Sequence, residues 1–308
     1  MTYSVILRAV RAILTLLVIV TSVFIVLKSS GDAAMQILSA DASSQSLEQF
    51  RSNWGLDTSL SEQYVKYLQG LLRGDFGASM RDGRPASAVL LERIPATLAL
   101  TIPALFLELL LGTLLGLFAA LKHNESVDRV VVIFTMLGHA TPTFVLALVF
   151  VIIFSLRLEW LPSSGSGTIF HAALPIAILA LSGSAVIARY VRSAVLEIVN
   201  QPYIRAAVAR GTPTRKLITA HMMPNAAVPI VALIGLLAGH ILAGAVVVET
   251  MFAWPGMGQL LVSSVISRDT AVVLAILITV GTTMIIANLL VDVLCGAIDP
   301  RYRVARER

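Results

Sequence analysis

The chain has 308 residues, of which 57% are hydrophobic and 13% charged, and its mean hydropathy is +0.85. Ordinary soluble domains carry about 25% charged residues, so this composition excludes a soluble globular protein and indicates an integral membrane protein. The single cysteine, Cys295, excludes an intramolecular disulfide framework and a multi-cysteine metal site.

Six apolar segments have roughly the length, about 20 residues, that a helix needs to cross a bilayer. They predict transmembrane helices over 9–27, 96–121, 130–156, 172–188, 226–248 and 271–295. The first apolar run is longer than that of a secretory signal, and no small-residue cleavage pattern follows it. We therefore expect an uncleaved anchor helix.

Lys and Arg in the short loops predict the orientation of the chain. If the N-terminus is inside, most of them lie on the cytoplasmic side, and the two short outer loops hold only Arg157 and Arg268. Both termini are therefore predicted to be cytoplasmic. The predicted organisation is an anchor helix over 1–28, an extracytoplasmic segment over 29–95, a five-helix core over 96–295 and a cytoplasmic tail over 296–308.

The predicted extracytoplasmic segment contains one amphipathic stretch. Tyr64, Leu68, Leu71 and Leu72 recur at helical spacing, and the sequence GDFG follows at 74–77. About 65 residues make a marginal core, so we expect a small cap packed on the helices rather than a separate domain.

The segment over 203–224, YIRAAVARGTPTRKLITAHMMP, is a polar island between two predicted spans. It carries Arg205, Arg210, Arg215 and Lys216, and it breaks at Gly211 between two short helical patterns. Such a segment is too basic to lie in lipid, and its helical pattern is too regular for a flexible linker. It predicts a structured cytoplasmic element that docks another protein.

Motifs for nucleotide hydrolysis, zinc proteolysis and nucleophilic catalysis are absent from the sequence. Polar side chains within predicted spans are candidates for a transport path, because lipid offers them no partner. These candidates are Glu108, His139, Thr141 and Pro142. Two other functions stay open on the residues alone: an ion-coupled secondary transporter that relays protons through Glu108, His139 and Asp292, and an intramembrane hydrolase with Ser184 as nucleophile.

Six ordered segments carry a resemblance that covers most of the chain. They are GLDTSLSEQYVKYLQGLLRGDFGAS, RIPATLALTIPA, EWLPSSG, YIRAAVARG, AGAVVVETMFAWPGMGQLLVSSVISRD and NLLVDVLCGAIDPRYR. In this order they resemble the B-type permease subunit of ABC importers of the dipeptide/oligopeptide/nickel family. The resemblance implies an all-α type I importer permease fold with six transmembrane helices.

The family's cytoplasmic signature, the EAA loop, falls on the polar island. Gly211 sets the register, so Arg205 stands where the general motif has Glu and Met223-Pro224 stands at its last pair. The resemblance implies that this loop contacts an ATPase subunit. The implied coupling residues are Arg205, Ala206, Ala207, Arg210, Gly211, Arg215, Met223 and Pro224.

The chain departs from the family pattern at two outer positions. Ser30-Gly31-Asp32-Ala33 replaces Pro-Gly-Asp-Pro, and Arg268-Asp269-Thr270-Ala271 replaces Arg-Asp-Tyr-Pro. The resemblance also implies an outer gate or a contact with the substrate-binding protein. The residues expected there are Glu249, Phe252, Trp254, Pro255 and Gly256.

The partners implied by the resemblance are a second homologous permease, two ATPase domains and an extracytoplasmic substrate-binding protein, in the bacterial inner membrane. ATP and magnesium would be bound by the ATPases, and we expect no cofactor and no enzymatic activity in this chain. Short peptides are the expected substrates, with nickel chelates, glutathione and opines as alternatives.

Overall fold

A computed structural model describes residues 2–29, 31, 33–38 and 42–298, and that part of the chain contains helices and no strand. The all-α prediction is therefore confirmed. The helices are α1 (Thr2–Ser29), α2 (Ala33–Leu38), α3 (Ser44–Asn53), α4 (Leu60–Leu72), α5 (Ala86–Leu91), α6 (Ile94–Leu121), α7 (Ser126–Ala140), α8 (Thr143–Phe150), α9 (Ile169–Val199), α10 (Pro202–Ala209), α11 (Thr214–Lys216), α12 (Met223–Met251), α13 (Met257–Ile266) and α14 (Thr270–Ile298). Two π-helical segments, Val151–Arg157 and Leu217–Met222, continue α8 and α11.

Four helical stretches are long and apolar enough to cross a membrane, namely Val10–Ser29, Ala86–Leu121, Ile169–Val199 and Thr270–Cys295. A bent pair, Ser126–Gly138 with Thr143–Arg157, makes a fifth if it counts as one span. The helix α12 has 29 residues, but the side chains of 226–229, 232, 234–238 and 240 lie outside the described part. The count of six spans stays a prediction.

The chain divides into two compact units, Met1–Thr97 with Pro255–Ile285, and Leu98–Trp254 with Ile286–Arg308. In the first unit, α4 begins with a capping box in which Ser59 and Glu62 satisfy each other's backbone N–H groups. Tyr64, Tyr67 and Leu68 of α4 pack with Phe24 of α1. The expected cap therefore packs on the anchor helix.

The last leucine of the amphipathic stretch is exposed. Leu72 shares the helical spacing of Tyr64 and Leu68, yet its side chain is 89% exposed. It is the last residue of α4, and the chain turns away at Gly74, whose φ is +79°. A periodicity argument assumes that the helix continues past the residue, which here it does not.

The second unit is built around α9, which packs against α7, α8 and α12. Glycines on α6 bring its backbone against α9: a Cβ at Gly112 would lie 2.5 Å from Ile187 Cβ, and one at Gly116 would lie 2.5 Å from the Ala188 carbonyl oxygen. Small residues allow such close approach of helices in membranes. These contacts make α6 and α9 a tightly packed pair.

A hydrogen bond between residues 190 positions apart closes the first unit. The hydroxyl of Ser79 donates to Oδ2 of Asp269, and both residues are buried. We expect Ser79→Ala to reduce the free energy of unfolding by about 1–3 kcal/mol, because it leaves a buried carboxyl without this donor. Thermal unfolding of the purified chain in detergent measures the loss.

Ser263→Ala in α13 is the matched control. Its hydroxyl donates to the Leu260 carbonyl of its own helix at 2.9 Å, so its removal should cost much less. Equal losses for the two variants would contradict a special role for the Ser79–Asp269 bond.

Candidate coupling element and transport path

The polar island folds as a helix, a tight turn and a second helix. α10 ends at Ala209, and Gly211 has a φ of +75°, a left-handed conformation that glycine adopts without strain. The N–H groups of Gly211 and Thr212 donate to the carbonyls of Val208 and Ala207, which satisfies the helix end. The predicted turn at Gly211 is therefore present.

The second half of the element leads directly into α12. Three α-helical residues from Thr214 are followed by the π-helical segment Leu217–Met222 and then by Met223 and Pro224. Pro224 has no N–H group to donate to the preceding turn, and the hydrogen-bonding pattern changes just before it. The second half of the element therefore runs into a long helix of the second unit with no non-helical residue between them.

One face of this element is buried against the rest of the unit. Ile204, Ala207, Leu217 and Met222 form an apolar cluster, and four partly buried residues pack on it. These are Leu121, Ile198, Val199 and Ile218. Since Leu121 ends α6 and Val199 ends α9, the element is seated on the tightly packed α6–α9 pair.

The opposite face is exposed and mixes cations with apolar groups. Arg205, Ala206 and Arg210 are exposed, and the side chains of Tyr203 and Val208 are 44% and 56% exposed. Gly211, Arg215 and Pro224 are also exposed, and Met223 is half-buried. Of the residues predicted for coupling, Ala207 is the exception: it is buried within its own chain and cannot offer a contact surface.

A largely buried ion pair between α7 and α9 was missed by sequence reasoning. Nε of Arg192 lies 2.6 Å from Oδ1 of Asp128, and Nη2 of Arg192 lies 2.9 Å from Oδ2. The Asp128 side chain is only 6% exposed, and that of Arg192 is 24% exposed. This two-pronged geometry fixes the start of α7 to α9 in one orientation.

The loop between α6 and α7 also binds Asp128. The backbone N–H of Asn124 donates to Oδ2 at 3.0 Å, and Nδ1 of His123 lies 3.1 Å from the same oxygen. Asn124 adopts a φ of +66°, which an asparagine tolerates better than most residues. Asp128 thus joins α7, α9 and the loop after α6, in a spatial arrangement that no sequence spacing indicates.

The predicted path residues fall at two places. Glu108 is in the middle of α6 and is 1% exposed. Thr141 and Pro142 lie between α7 and α8, where the chain bends by 105°. The predicted proline kink is present, whereas the side chain of His139 lies outside the described part. The role of these residues in a path stays a prediction.

The predicted outer residues are mostly buried. Glu249, Phe252 and Trp254 are 0%, 1% and 7% exposed. The Trp254 N–H donates to the Glu249 carbonyl at 2.8 Å, and the Gly165 N–H donates to the Phe252 carbonyl at 2.8 Å. As placed, these three side chains offer little surface to another protein. In the first unit, Pro255 and Gly256 lead into α13, whose Met257 N–H donates to Thr97 Oγ1 at 2.8 Å.

No group of three or more potential metal ligands occurs among the described residues. The candidate nucleophile Ser184 is fully buried, and its hydroxyl donates to the Leu181 carbonyl of its own helix at 3.0 Å. A hydroxyl bonded in this way is not held against a general base. The geometry therefore lends no support to the hydrolase alternative.

Comparisons with known proteins give a consistent result. Residues 112–304 match the family described as binding-protein-dependent transport system inner membrane component, and residues 1–101 match the N-terminal component of the same systems. The chain is 37% identical over 297 residues to the glutathione transport system permease protein GsiC of Salmonella choleraesuis (strain SC-B67). It is 35% identical over the same length to GsiC of Escherichia coli (strain K12). Each alignment covers 96% of this chain and 97% of the relative.

A solved structure shares the fold. The inward-facing MetNI methionine ABC transporter aligns with a TM-score of 0.61 at 20% identity, over 69% of this chain and 97% of the transporter chain. The predicted type I importer permease fold is thereby confirmed.

We expect Asp128→Asn to reduce the free energy of unfolding by about 2 kcal/mol, between the cost of breaking a surface pair and that of breaking a fully buried one. The reason is that Arg192 keeps its charge and loses its carboxylate. Thermal unfolding measures the change.

Asp82 supplies the control. It lies in the predicted outer segment, and its Oδ2 atom is 2.9 Å from Nε of Arg84. The hydrogen bond from Arg84 holds the pKa of Asp82 below its usual value, but both side chains are largely exposed. Asp82→Asn should therefore leave stability nearly unchanged. An Asp128→Asn variant as stable as Asp82→Asn would contradict the buried joint.

Proposed function

Since this chain belongs to the family of inner membrane components of binding-protein-dependent transport systems, we propose that it forms the transport path of an importer together with a second, homologous permease subunit. It is a permease component of an ABC importer, a non-catalytic membrane subunit, and such importers work with ATPase subunits and a substrate-binding protein. The pairing with a homologous rather than an identical permease rests on the resemblance to paired permeases of the peptide family.

We place the contact with the ATPase on the exposed face of the element over 203–224. Its support is the two-sided structure of α10: Ile204 and Ala207 attach the helix to its own chain, while Arg205, Ala206 and Arg210 are free to meet a partner. Arginine pairs well with carboxylates, so the facing surface of the ATPase should be acidic. ATP and magnesium would be bound by that partner.

We infer that the substrates are short peptides. Two relatives that align over nearly their whole length are named glutathione transport permeases, and glutathione is itself a small peptide with two carboxylates. Dipeptides and oligopeptides belong to the same chemical class. Glutathione is therefore the first ligand to test, followed by dipeptides.

The proposed orientation puts both termini and the element over 203–224 on the cytoplasmic side of a bacterial inner membrane. The Lys and Arg bias between loops supports it. The path would run past the bend at Thr141-Pro142, with Glu108 and His139 as further candidates. Phe252 and Trp254, buried in the second unit, suit an outer gate better than a contact with the binding protein.

The coupling role can be tested at Gly211. We expect Gly211→Val to lower the number of substrate molecules imported per ATP hydrolysed while the importer still assembles. A β-branched residue at a φ of +75° is strained by about 1–2 kcal/mol, enough to displace the turn in most molecules. The measurement is coupled transport and ATP hydrolysis in proteoliposomes that contain all subunits.

Gly55→Val controls for backbone strain alone. Gly55 has a φ of +61°, and like Gly211 it has open space where a Cβ would project. The two variants should lose similar stability, but only Gly211→Val should uncouple the importer. Normal coupling in Gly211→Val would argue against docking at this turn.

The energy source separates this proposal from the ion-coupled transporter. We expect uptake of glutathione delivered by the cognate binding protein to require ATP and to continue when an ionophore collapses the ion gradients. Uptake without ATP that stops on addition of ionophore would overturn the importer mechanism. Calorimetric titration of the binding protein with glutathione and with dipeptides tests the substrate class separately.

A further inference from the structure

Glu108 is a buried carboxyl that the proposed function leaves without an assigned partner. It lies halfway along the 28-residue helix α6 and is 1% exposed, and its Oε1 atom accepts no hydrogen bond from the described residues. A Cβ at Gly183 of α9 would overlap this carboxyl, so the glycine provides the space that the side chain occupies. The carboxyl is thus held between α6 and α9.

A small cavity adjoins this carboxyl where four helices of the second unit meet. Its wall is formed by Glu108 of α6, Leu179 and Ser182 of α9, Thr143 of α8, and Ile241 and Gly244 of α12. Three of these side chains bear oxygen atoms, and they come from three different helices. The space open to a water-sized sphere is about 10 Å³.

The volume of this cavity and the atoms on its wall fit one water molecule better than a metal ion. About 10–15 Å³ is the room that one water molecule needs, and a buried water usually makes two to four hydrogen bonds. The three oxygen-bearing side chains carry four oxygen atoms, two of them on Glu108, which is enough for that number of bonds. A calcium ion would need six to eight oxygen ligands, and a magnesium ion nearly ideal octahedral coordination, which four side-chain oxygens do not provide.

We propose that this cavity is a binding site for a single ordered water molecule that bridges Glu108, Ser182 and Thr143. A buried polar group without a partner costs several kcal/mol, and Glu108 is 1% exposed, so little bulk water reaches its carboxyl. The bound water satisfies the Glu108 carboxyl and links α6 and α9 to the first residue of α8, directly after the bend at Thr141-Pro142. It therefore acts as a positioning link for that bend and does not depend on the identity of the substrate.

The direct test is a high-resolution structure of the full chain with its co-purified subunits in lipid nanodiscs. Density for one water within hydrogen-bonding distance of Glu108, Ser182 and Thr143 is the expected result, and Thr143→Val should abolish it with little change in side-chain volume. A collapsed cavity without density, or a density with the short distances and additional ligands of a metal ion, would overturn the proposal.

A double-mutant cycle gives a second, independent readout. Glu108→Met and Ser182→Ala should each lower the melting temperature by about 2–4 °C, and together they should lower it by less than the sum, because both remove the same water. Ser184→Ala is the matched control: it is the same substitution two residues along α9, at a hydroxyl bonded to the Leu181 carbonyl. Glu108→Met should add independently to Ser184→Ala. Full additivity in both cycles would contradict a shared water.

Discussion

The ion pair between Asp128 and Arg192 is the interaction on which the proposed coupling end of the permease depends. Apolar contacts hold the coupling element to the ends of α6 and α9, but such contacts are non-directional and tolerate sliding. The two-pronged pair instead fixes α7 to α9 at one register, and the Asn124 N–H ties the loop after α6 to the same carboxylate. A displacement of the coupling element would therefore move α7 together with α6 and α9, on which the element sits.

The second unit also contains a close contact between α6 and α9. Gly112 and Gly116 bring the α6 backbone against α9, which leaves no room for the two helices to slide. From Asp128 at the joint to the break at Thr141, the chain rises by about 20 Å along α7. The bend lies at the other end of α7 from the joint, and Thr143, the first residue of α8 after the bend, lines the cavity beside Glu108.

Hydropathy predicted the apolar segments well because lipid imposes a length and a composition on them. It does not indicate where a helix ends: the fourth apolar segment was predicted over 172–188, whereas α9 runs from Ile169 to Val199. Arg189 and Arg192 end the apolar run without ending the helix. The Asp128–Arg192 pair joins residues 64 positions apart, so no local pattern reveals it. Positive φ at Gly211, in contrast, was predictable from a glycine beside a helix end.

Ala206 and Ala207 of α10 should have different roles, although both are alanines of the same motif. A helix turns about 100° per residue, so Ala206 and Ala207 point to different sides. Ala207 is 2% exposed and packs on the permease itself, whereas Ala206 is exposed. A larger side chain at Ala207 would lift the element from α6 and α9, and one at Ala206 would obstruct the partner while leaving the permease folded. If the proposed docking is right, the repeated alanines of the motif serve two interfaces of one short helix, one within the chain and one with the ATPase.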